Sequence, residues 1–97
     1  MNPLKDRIVS DMKDAMRAKD AVRLESIRLL RAAIQRREVD ERVDLTDQDV
    51  VSVVQKMVKQ GKDSIALFEQ GGREDLVQKE AATLAVLETY LPEQLDE

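Results

Sequence analysis

A run of basic side chains between positions 17 and 37 is the part of this chain best suited to binding an anion. It holds seven Lys and Arg residues against two acidic ones. Guanidinium groups pair with phosphate through two parallel hydrogen bonds, so arginines on a rigid helix suit a nucleic-acid backbone. Arg28 and Arg31 share one helical face by their three-residue spacing, with Gln35 one turn further along.

Lysines further along the chain extend this basic pattern. Lys56, Lys59 and Lys62 recur at three-residue spacing on a second predicted helix. We therefore predict a nucleic-acid-binding surface. Its candidate residues are Arg17, Lys19, Arg28, Arg31, Arg36, Arg37, Lys56 and Lys59. The alternative is that these cations lie on solvated helix faces and pair with acidic residues of the second half of the chain.

The overall charge favours a different class of partner. The chain has 97 residues, a net charge of −4 and a pI near 4.9. Residues 1–45 carry 11 basic and 9 acidic side chains, whereas residues 46–97 carry 5 and 11. Because dedicated nucleic-acid domains are usually basic, the second hypothesis is a protein-interaction or structural module.

Several kinds of chemistry are excluded by composition. The chain has no cysteine and no histidine, which removes Ser-His and Cys-His nucleophile systems and ordinary zinc sites. The segment Asp47-Gln48-Asp49 resembles the start of a calcium loop, but Ser52 and Val58 stand where that loop needs glycine and glutamate. We predict no catalytic residue, no cofactor and no metal.

The chain shows no apolar segment for a membrane. No apolar run approaches the ~20 residues needed to cross a bilayer. The amino terminus is charged from Lys5 onward, unlike a secretory signal. On these grounds we predict a cytoplasmic protein without a membrane partner.

Hydrophobic periodicity predicts the helices that would position the basic residues. A first helix starts near Asn2-Pro3, and Asp20 caps a second one. The first has an apolar stripe of Leu4, Ile8, Met12 and either Ala15 or Met16.

The second predicted helix has two apolar stripes. One is formed by Leu24, Ile27, Leu30 and Ile34, and beside it lies the other, formed by Val22, Leu29 and Ala33. A helix with so wide an apolar arc is expected at the centre of the fold. Residues 38–45 lose the period and predict a frayed end and a loop.

Two more helices complete the predicted fold. Thr46 and Asp49 form a capping-box pattern, and the helix that follows runs to Gln70. Gly61 within it predicts a close helix crossing or a kink. Gly71-Gly72 ends this helix. The fourth helix ends at about Thr89, and Pro92 prevents it from continuing. The fold class is all-α, an antiparallel four-helix bundle in residues 1–91, with 92–97 as a hinge and the start of a further domain.

Three segments carry a resemblance to a known family. They are MKDAMRAKDAVRLESIRLLRAAIQRREVD (12–40), KDSIALFEQGGREDLVQKE (62–80) and ETYLPEQL (88–95). In this order they resemble the amino-terminal part of the YqeY family, also described as GatB/YqeY-domain proteins. The resemblance implies a four-helix first domain, a hinge at LPEQL and a smaller three-helix second domain.

The resemblance also implies a function. Related domains form the tail of the B subunit of glutamine-dependent aspartyl/glutamyl-tRNA amidotransferase and are appended to some glutaminyl-tRNA synthetases, where they help hold tRNA. Family members are described with carbon–nitrogen ligase activity and glutamine as amido donor. The implied partners are tRNA, a tRNA-charging or amidotransferase complex, and the protein's own second domain.

This chain itself lacks the parts that amide transfer requires. It offers no glutaminase nucleophile, ammonia channel or ATP site, so we expect an accessory module that is not catalytic by itself. The family pattern has a basic residue where Gly61 stands, and this difference is expected to reduce the positive charge of the predicted binding surface.

Overall fold

The computed structural model describes residues 3–92, which form four α-helices without a strand in that range. The helices are α1 (Pro3–Ala18), α2 (Ala21–Glu41), α3 (Asp47–Gln70) and α4 (Glu74–Glu88). The predicted all-α fold class is confirmed. The predicted start at Asn2 lies outside the described residues, as do positions 93–97 of the proposed hinge and further domain.

Local side-chain bonds set two of the helix starts. The Asp20 side chain accepts a hydrogen bond of 3.1 Å from the Arg23 amide at the start of α2. At the start of α3, the Asp49 amide donates to Thr46 Oγ1 at 3.2 Å and the Thr46 amide donates to Asp49 Oδ2 at 3.1 Å. Each bond satisfies an amide that has no partner within its helix. The capping predictions at both positions are confirmed.

The end of α2 differs from the prediction. Positions 38–41 are helical, and the loop begins only at Arg42, which has a left-handed φ of 56° and donates its amide to the Glu38 carbonyl. Arg37 Nε lies 2.9 Å from Glu41 Oε2 and so pairs across this last turn. The predicted helix end does lie in this segment, but positions 38–41 are ordered instead of frayed, because one carboxylate pairs with an arginine four residues earlier and another with α1.

Helix α2 is central in the bundle, as predicted, because it packs against each of the other three helices. The core residues are Ile8, Ala15, Ile27, Leu30, Ile34, Leu45, Val50, Val53, Val54, Val58, Leu84, Leu87 and Tyr90. Burial of each large apolar side chain contributes about 1.5–3 kcal/mol. Ala15 is buried and Met16 is half exposed, which resolves the alternative left open for α1.

The second predicted stripe of α2 is only partly correct. Ala33 packs against the core, but Val22 and Leu29 are each 50% exposed. The three neighbouring helices cover one broad side of α2 and leave the other side to solvent. The apolar arc of α2 is therefore wider than the surface that its neighbours bury.

Gly61 marks a close crossing of α3 and α4, as predicted. A Cβ atom at this position would lie 2.5 Å from Leu84 Cδ2 and 3.0 Å from Glu80 Oε2. The expectation that Gly61 reduces the positive charge of the predicted binding surface is wrong, because position 61 is buried against α4 and does not belong to an exposed surface.

Glu38 joins three parts of the fold. Its carboxylate pairs with Lys5 on α1 and accepts a hydrogen bond of 2.9 Å from the Leu45 amide in the α2–α3 loop. Beside it, the Leu4 amide donates to Asp47 Oδ1 at 3.2 Å. The bonds from Lys5 and Leu45 hold the pKa of Glu38 below its ordinary value. These contacts fix the loop that sets α2 and α3 side by side.

Candidate nucleic-acid interface

A groove between α2 and α3 brings together candidate residues from both helices. It has a volume of about 610 Å³. Arg36 and Arg37 line it from α2, and Lys56 lines it from α3. The remaining lining residues are Ala33, Asp40, Glu41, Ser52, Val53, Met57 and Gln60. The groove thus combines three cations with polar and apolar side chains that could contact an extended anionic ligand.

The charges in the groove are only partly neutralised. Glu41 pairs with Arg37, whereas Arg36 and Lys56 form no ion pair within 4.0 Å inside the described range 3–92. The hydrogen bond from the Thr46 amide is the main cause of the lowered pKa of Asp49. Arg37 lowers this pKa further and is the smallest of the causes. Three cations against Asp40 and Glu41 leave the groove lining with a net charge of about +1.

Two of the predicted arginines lie elsewhere. Arg31 lines a smaller cavity of about 260 Å³ between α1 and α2, together with Lys5, Gln35 and Glu38. Its Nη1 lies 3.3 Å from the Met12 sulfur. Arg28 is exposed and lines neither this cavity nor the groove.

The other three candidates are also separate from the groove. Arg17 pairs with Asp14 at 2.5 Å on the last turn of α1, and Lys19 is exposed in the turn that follows, where its φ is 56°. Lys59 lines a cavity of about 300 Å³ beside Lys62 and Glu88. Of the eight candidates, the structure brings only Arg36, Arg37 and Lys56 into one groove.

Sequence reasoning missed the polar partners within the groove. Ser52, Lys56 and Gln60 recur at four-residue spacing and therefore share one face of α3. This spacing could have indicated the polar surface, because it places the Ser52 hydroxyl and the Gln60 side-chain amide on either side of Lys56. Asp40 and Glu41 belong to the segment predicted as a frayed helix end and a loop, and this prediction did not place them beside the arginines.

An exposed apolar set on α2 was also missed. Val22, Leu29 and Val39 are 50%, 50% and 67% exposed. Leu29 and Arg36 are seven residues apart and thus lie on the same side of the helix. The outward side of α2 therefore presents apolar side chains beside a cation.

The acids that resemble a calcium loop have structural roles here. Asp47 accepts from the Leu4 amide and Asp49 belongs to the capping box. Across the part of the chain that the structure describes, no group of three or more His, Cys, Asp or Glu side chains is placed to hold a metal ion. None of the helices in that part is long and apolar enough to cross a membrane.

Comparison with known proteins gives several relatives of the same description. A protein of Kluyveromyces lactis named "Altered inheritance of mitochondria protein 41, mitochondrial" is 43% identical over 81 residues, covering 82% of this chain and 44% of the relative. The protein of that name in Pyrenophora tritici-repentis is 38% identical, with 92% and 49% covered. That of Eremothecium gossypii is 38% identical, with 84% and 45% covered. The chain spans less than half of the length of these relatives.

These relatives contradict the predicted cytoplasmic location. All three are named as mitochondrial proteins. The prediction was based on the lack of an apolar secretory segment. That observation does not separate the cytoplasm from mitochondria, because mitochondrial targeting segments are amphipathic and rich in arginine instead of apolar.

A family model agrees with the resemblance seen in the three quoted segments. The model of the Yqey-like protein family matches residues 5–97, which is nearly the whole chain and includes all four helices apart from the first two residues of α1. Fold, motif order and this match lead to one conclusion: the chain belongs to the YqeY family.

Proposed function

We propose that this chain is a non-catalytic helical module that binds the phosphate backbone of RNA, with tRNA as the first candidate. The observation that carries the proposal is the convergence of Arg36, Arg37 and Lys56 on one groove between α2 and α3. Arginine forks and a lysine on two packed helices provide donors in a fixed arrangement, which favours contact with successive phosphates.

The groove also suggests how RNA would be held. Arg36 and Lys56 have no ion pair to break within residues 3–92, so they are available to phosphate directly. Arg37 would exchange its pair with Glu41 for a phosphate oxygen. Ser52 and Gln60 add hydrogen-bond donors beside Lys56. Contacts of this kind position a nucleic acid without reading its sequence.

Family association supports tRNA and an amidotransferase or tRNA-charging complex as the setting. The carbon–nitrogen ligase activity described for family members would then belong to the complex. These 97 residues contain no cysteine or histidine. In this proposal the chain supplies binding and positioning.

A salt-dependent tRNA titration tests the proposal. If three phosphate contacts form, affinity should fall about 20- to 40-fold between roughly 50 and 200 mM salt. The double variant Arg36→Gln/Lys56→Gln should bind weakly and with a smaller salt slope. Lys13→Gln changes an exposed cation on α1, outside the groove, and serves as the control. Absence of binding at low salt, or an unchanged affinity of the double variant, would refute the proposal.

The position of Arg28 and Arg31 gives a second arm to this experiment. Neither lines the groove, although both were candidates from the sequence. Charge reversal at these two positions should leave binding nearly unchanged if RNA lies in the groove alone. A large loss would show that RNA also follows the α1–α2 side of the bundle.

A second candidate function is docking of a helical protein partner. It is favoured by the exposure of Val22, Leu29 and Val39 on the outward side of α2. More than half of each relative lies outside the matched segment, and a second domain from that portion is the partner we name. Residues 1–91 would then be the first domain and 92–97 the hinge. Leu29→Ala removes apolar surface without adding a charge, so it should weaken this docking and spare RNA binding.

A further inference from the structure

A second basic cavity lies between α1, α2 and the carboxyl end of α4. Its volume is about 450 Å³. It is lined by Arg7, Asp11, Arg23, Ala85, Val86 and Thr89. It shares no lining residue with the α2–α3 groove and is therefore a separate candidate site.

Two guanidinium groups in this cavity face a single carboxylate. Arg23 Nη2 lies 3.5 Å from Asp11 Oδ1, and Arg7 Nε lies 3.8 Å from Asp11 Oδ2. Both distances exceed a normal N–H···O hydrogen bond. The lining therefore carries two positive charges against one negative charge, and its net charge is about +1.

Arg7 and Asp11 already have structural partners. Asp11 Oδ2 accepts a hydrogen bond of 2.6 Å from the Tyr90 hydroxyl. Arg7 donates to the Thr89 carbonyl at 2.8 Å, and its guanidinium lies 4.7 Å from the centre of the Tyr90 ring. These contacts account for Arg7 and Asp11 without any ligand.

Within residues 3–92, Arg23 is held only by its ion pair with Asp11, at 3.5 Å. Its side chain donates no hydrogen bond to any other residue of the described range 3–92, although it is only 37% exposed and lies beside the cavity. An arginine has five N–H donors in a planar fork. Within that range, most of the N–H donors in the fork of Arg23 are therefore without a hydrogen-bond partner.

We propose that this cavity binds a small aliphatic monocarboxylate. Its carboxylate would take two parallel hydrogen bonds from Arg23 and lie within the field of Arg7, while its short carbon chain packs on Ala85 and Val86. A single negative charge matches the net charge of the lining. Inorganic phosphate has no carbon chain to pack on Ala85 and Val86 and therefore lacks this apolar contact.

The test is an NMR titration of the full 97-residue chain with sodium butyrate at constant ionic strength. The expected result is a saturable set of shifts at the amides of Arg23, Val86 and Thr89. 1-Butanol has nearly the same carbon chain but no charge, and it should not produce these shifts. Inorganic phosphate should bind at least about tenfold more weakly than butyrate.

Variants of Arg23 complete the test. Arg23→Gln should weaken butyrate binding about tenfold or more, because a hydrogen bond to a charged group is lost. Arg23→Lys keeps the charge without the fork and should bind with intermediate affinity. Arg28→Gln changes an exposed arginine on the same helix and should bind like the original protein.

Four outcomes would overturn the proposal. They are shifts that do not saturate, equal effects of butyrate and 1-butanol, tighter binding of phosphate than of butyrate, and an Arg23→Gln variant that titrates like the original chain. The butanol and phosphate comparisons use the unchanged protein, so they decide the question even if Arg23→Gln does not fold.

Discussion

The hydroxyl of Tyr90 donates a hydrogen bond of 2.6 Å to Asp11 across 79 positions of sequence. Tyr90 is 3% exposed. Burial, followed by the bond to Asp11, raises the pKa of its hydroxyl, so the group stays protonated as a donor. This contact ties the end of α4 to α1, just before Leu91 and Pro92. It belongs to the same ETYLP segment that carries part of the family resemblance.

Removing only the hydroxyl should weaken this attachment. Tyr90→Phe keeps the buried ring and is expected to lower the free energy of unfolding by about 1 kcal/mol, the usual net value of a hydrogen bond. Urea unfolding followed by circular dichroism measures the change. Asp11→Asn and the double variant provide the control, because the losses of unfolding free energy from removing the two partners of one hydrogen bond should not add. Fully additive effects would show that the two groups do not interact.

Gly61→Ala should destabilise the protein, although alanine usually stabilises a helix. The new Cβ would lie 2.5 Å from Leu84 Cδ2 in the buried α3–α4 contact. Overpacking of a core costs about 1–3 kcal/mol, which exceeds the helix-propensity gain of about 1 kcal/mol. Thermal unfolding of the variant tests this balance.

Gly71→Ala is the matched control for that variant. Gly71 has a φ of −86°, and a Cβ there would lie 3.6 Å from its nearest neighbour, so no clash or strained backbone is introduced. It should be neutral or slightly stabilising. A Gly61→Ala protein more stable than the original would contradict the close crossing.

Glu38 should make stability depend on pH at the acidic side. Its pKa is below the ordinary 4.5 because Lys5 and the Leu45 amide favour the charged carboxylate. The folded state therefore binds its proton less readily than the unfolded state. The stabilisation is present above about pH 4.5 and is lost as pH falls through the lower folded-state pKa.

Glu38→Gln tests this pH dependence. At neutral pH the variant should lose about 1 kcal/mol of unfolding free energy. The difference from the original protein should shrink as pH falls below the ordinary pKa and should vanish below the lower folded-state pKa, where both side chains are uncharged. Glu25→Gln, at an exposed position on α2, should show little effect at any pH. A constant difference between the Glu38 variant and the original protein would argue against the charged interaction.

Glu41→Gln should strengthen RNA binding if the α2–α3 groove is the binding site. The variant releases Arg37 from its pair at 2.9 Å and removes one negative charge from the groove. We expect affinity for tRNA to rise about two- to fivefold at low salt, in line with the small free energy of an exposed ion pair. The measurement is the same titration used for Arg36 and Lys56.

Glu88→Gln gives the same change in net charge away from the groove. Glu88 lines the cavity that contains Lys59. The affinity of the Glu88→Gln variant for tRNA should stay close to that of the original chain. An equal increase for both variants would assign the effect to net charge alone.

Several local features could be predicted because their causes lie within a few residues. The cap at Asp20 and the capping box of Thr46 and Asp49 depend on bonds across three positions. The order of the last turn of α2 was not predicted, because the Lys5–Glu38 pair that supports it spans 33 positions and leaves no local pattern. Val22 and Leu29 were assigned to the core because periodicity shows that a position is apolar, not whether a neighbour covers it.

The sequence by itself determined four amphipathic helices, their approximate limits and membership of the YqeY family, and it left Gly61 open between a close crossing and a kink. These features follow from backbone hydrogen bonding, side-chain spacing and motif order along the chain. Only the tertiary structure decided that Arg36, Arg37 and Lys56 share a groove while Arg31 lies in another cavity and Arg23 in a third. The physical reason is that the side of a helix that meets a neighbour depends on long-range packing of the whole core.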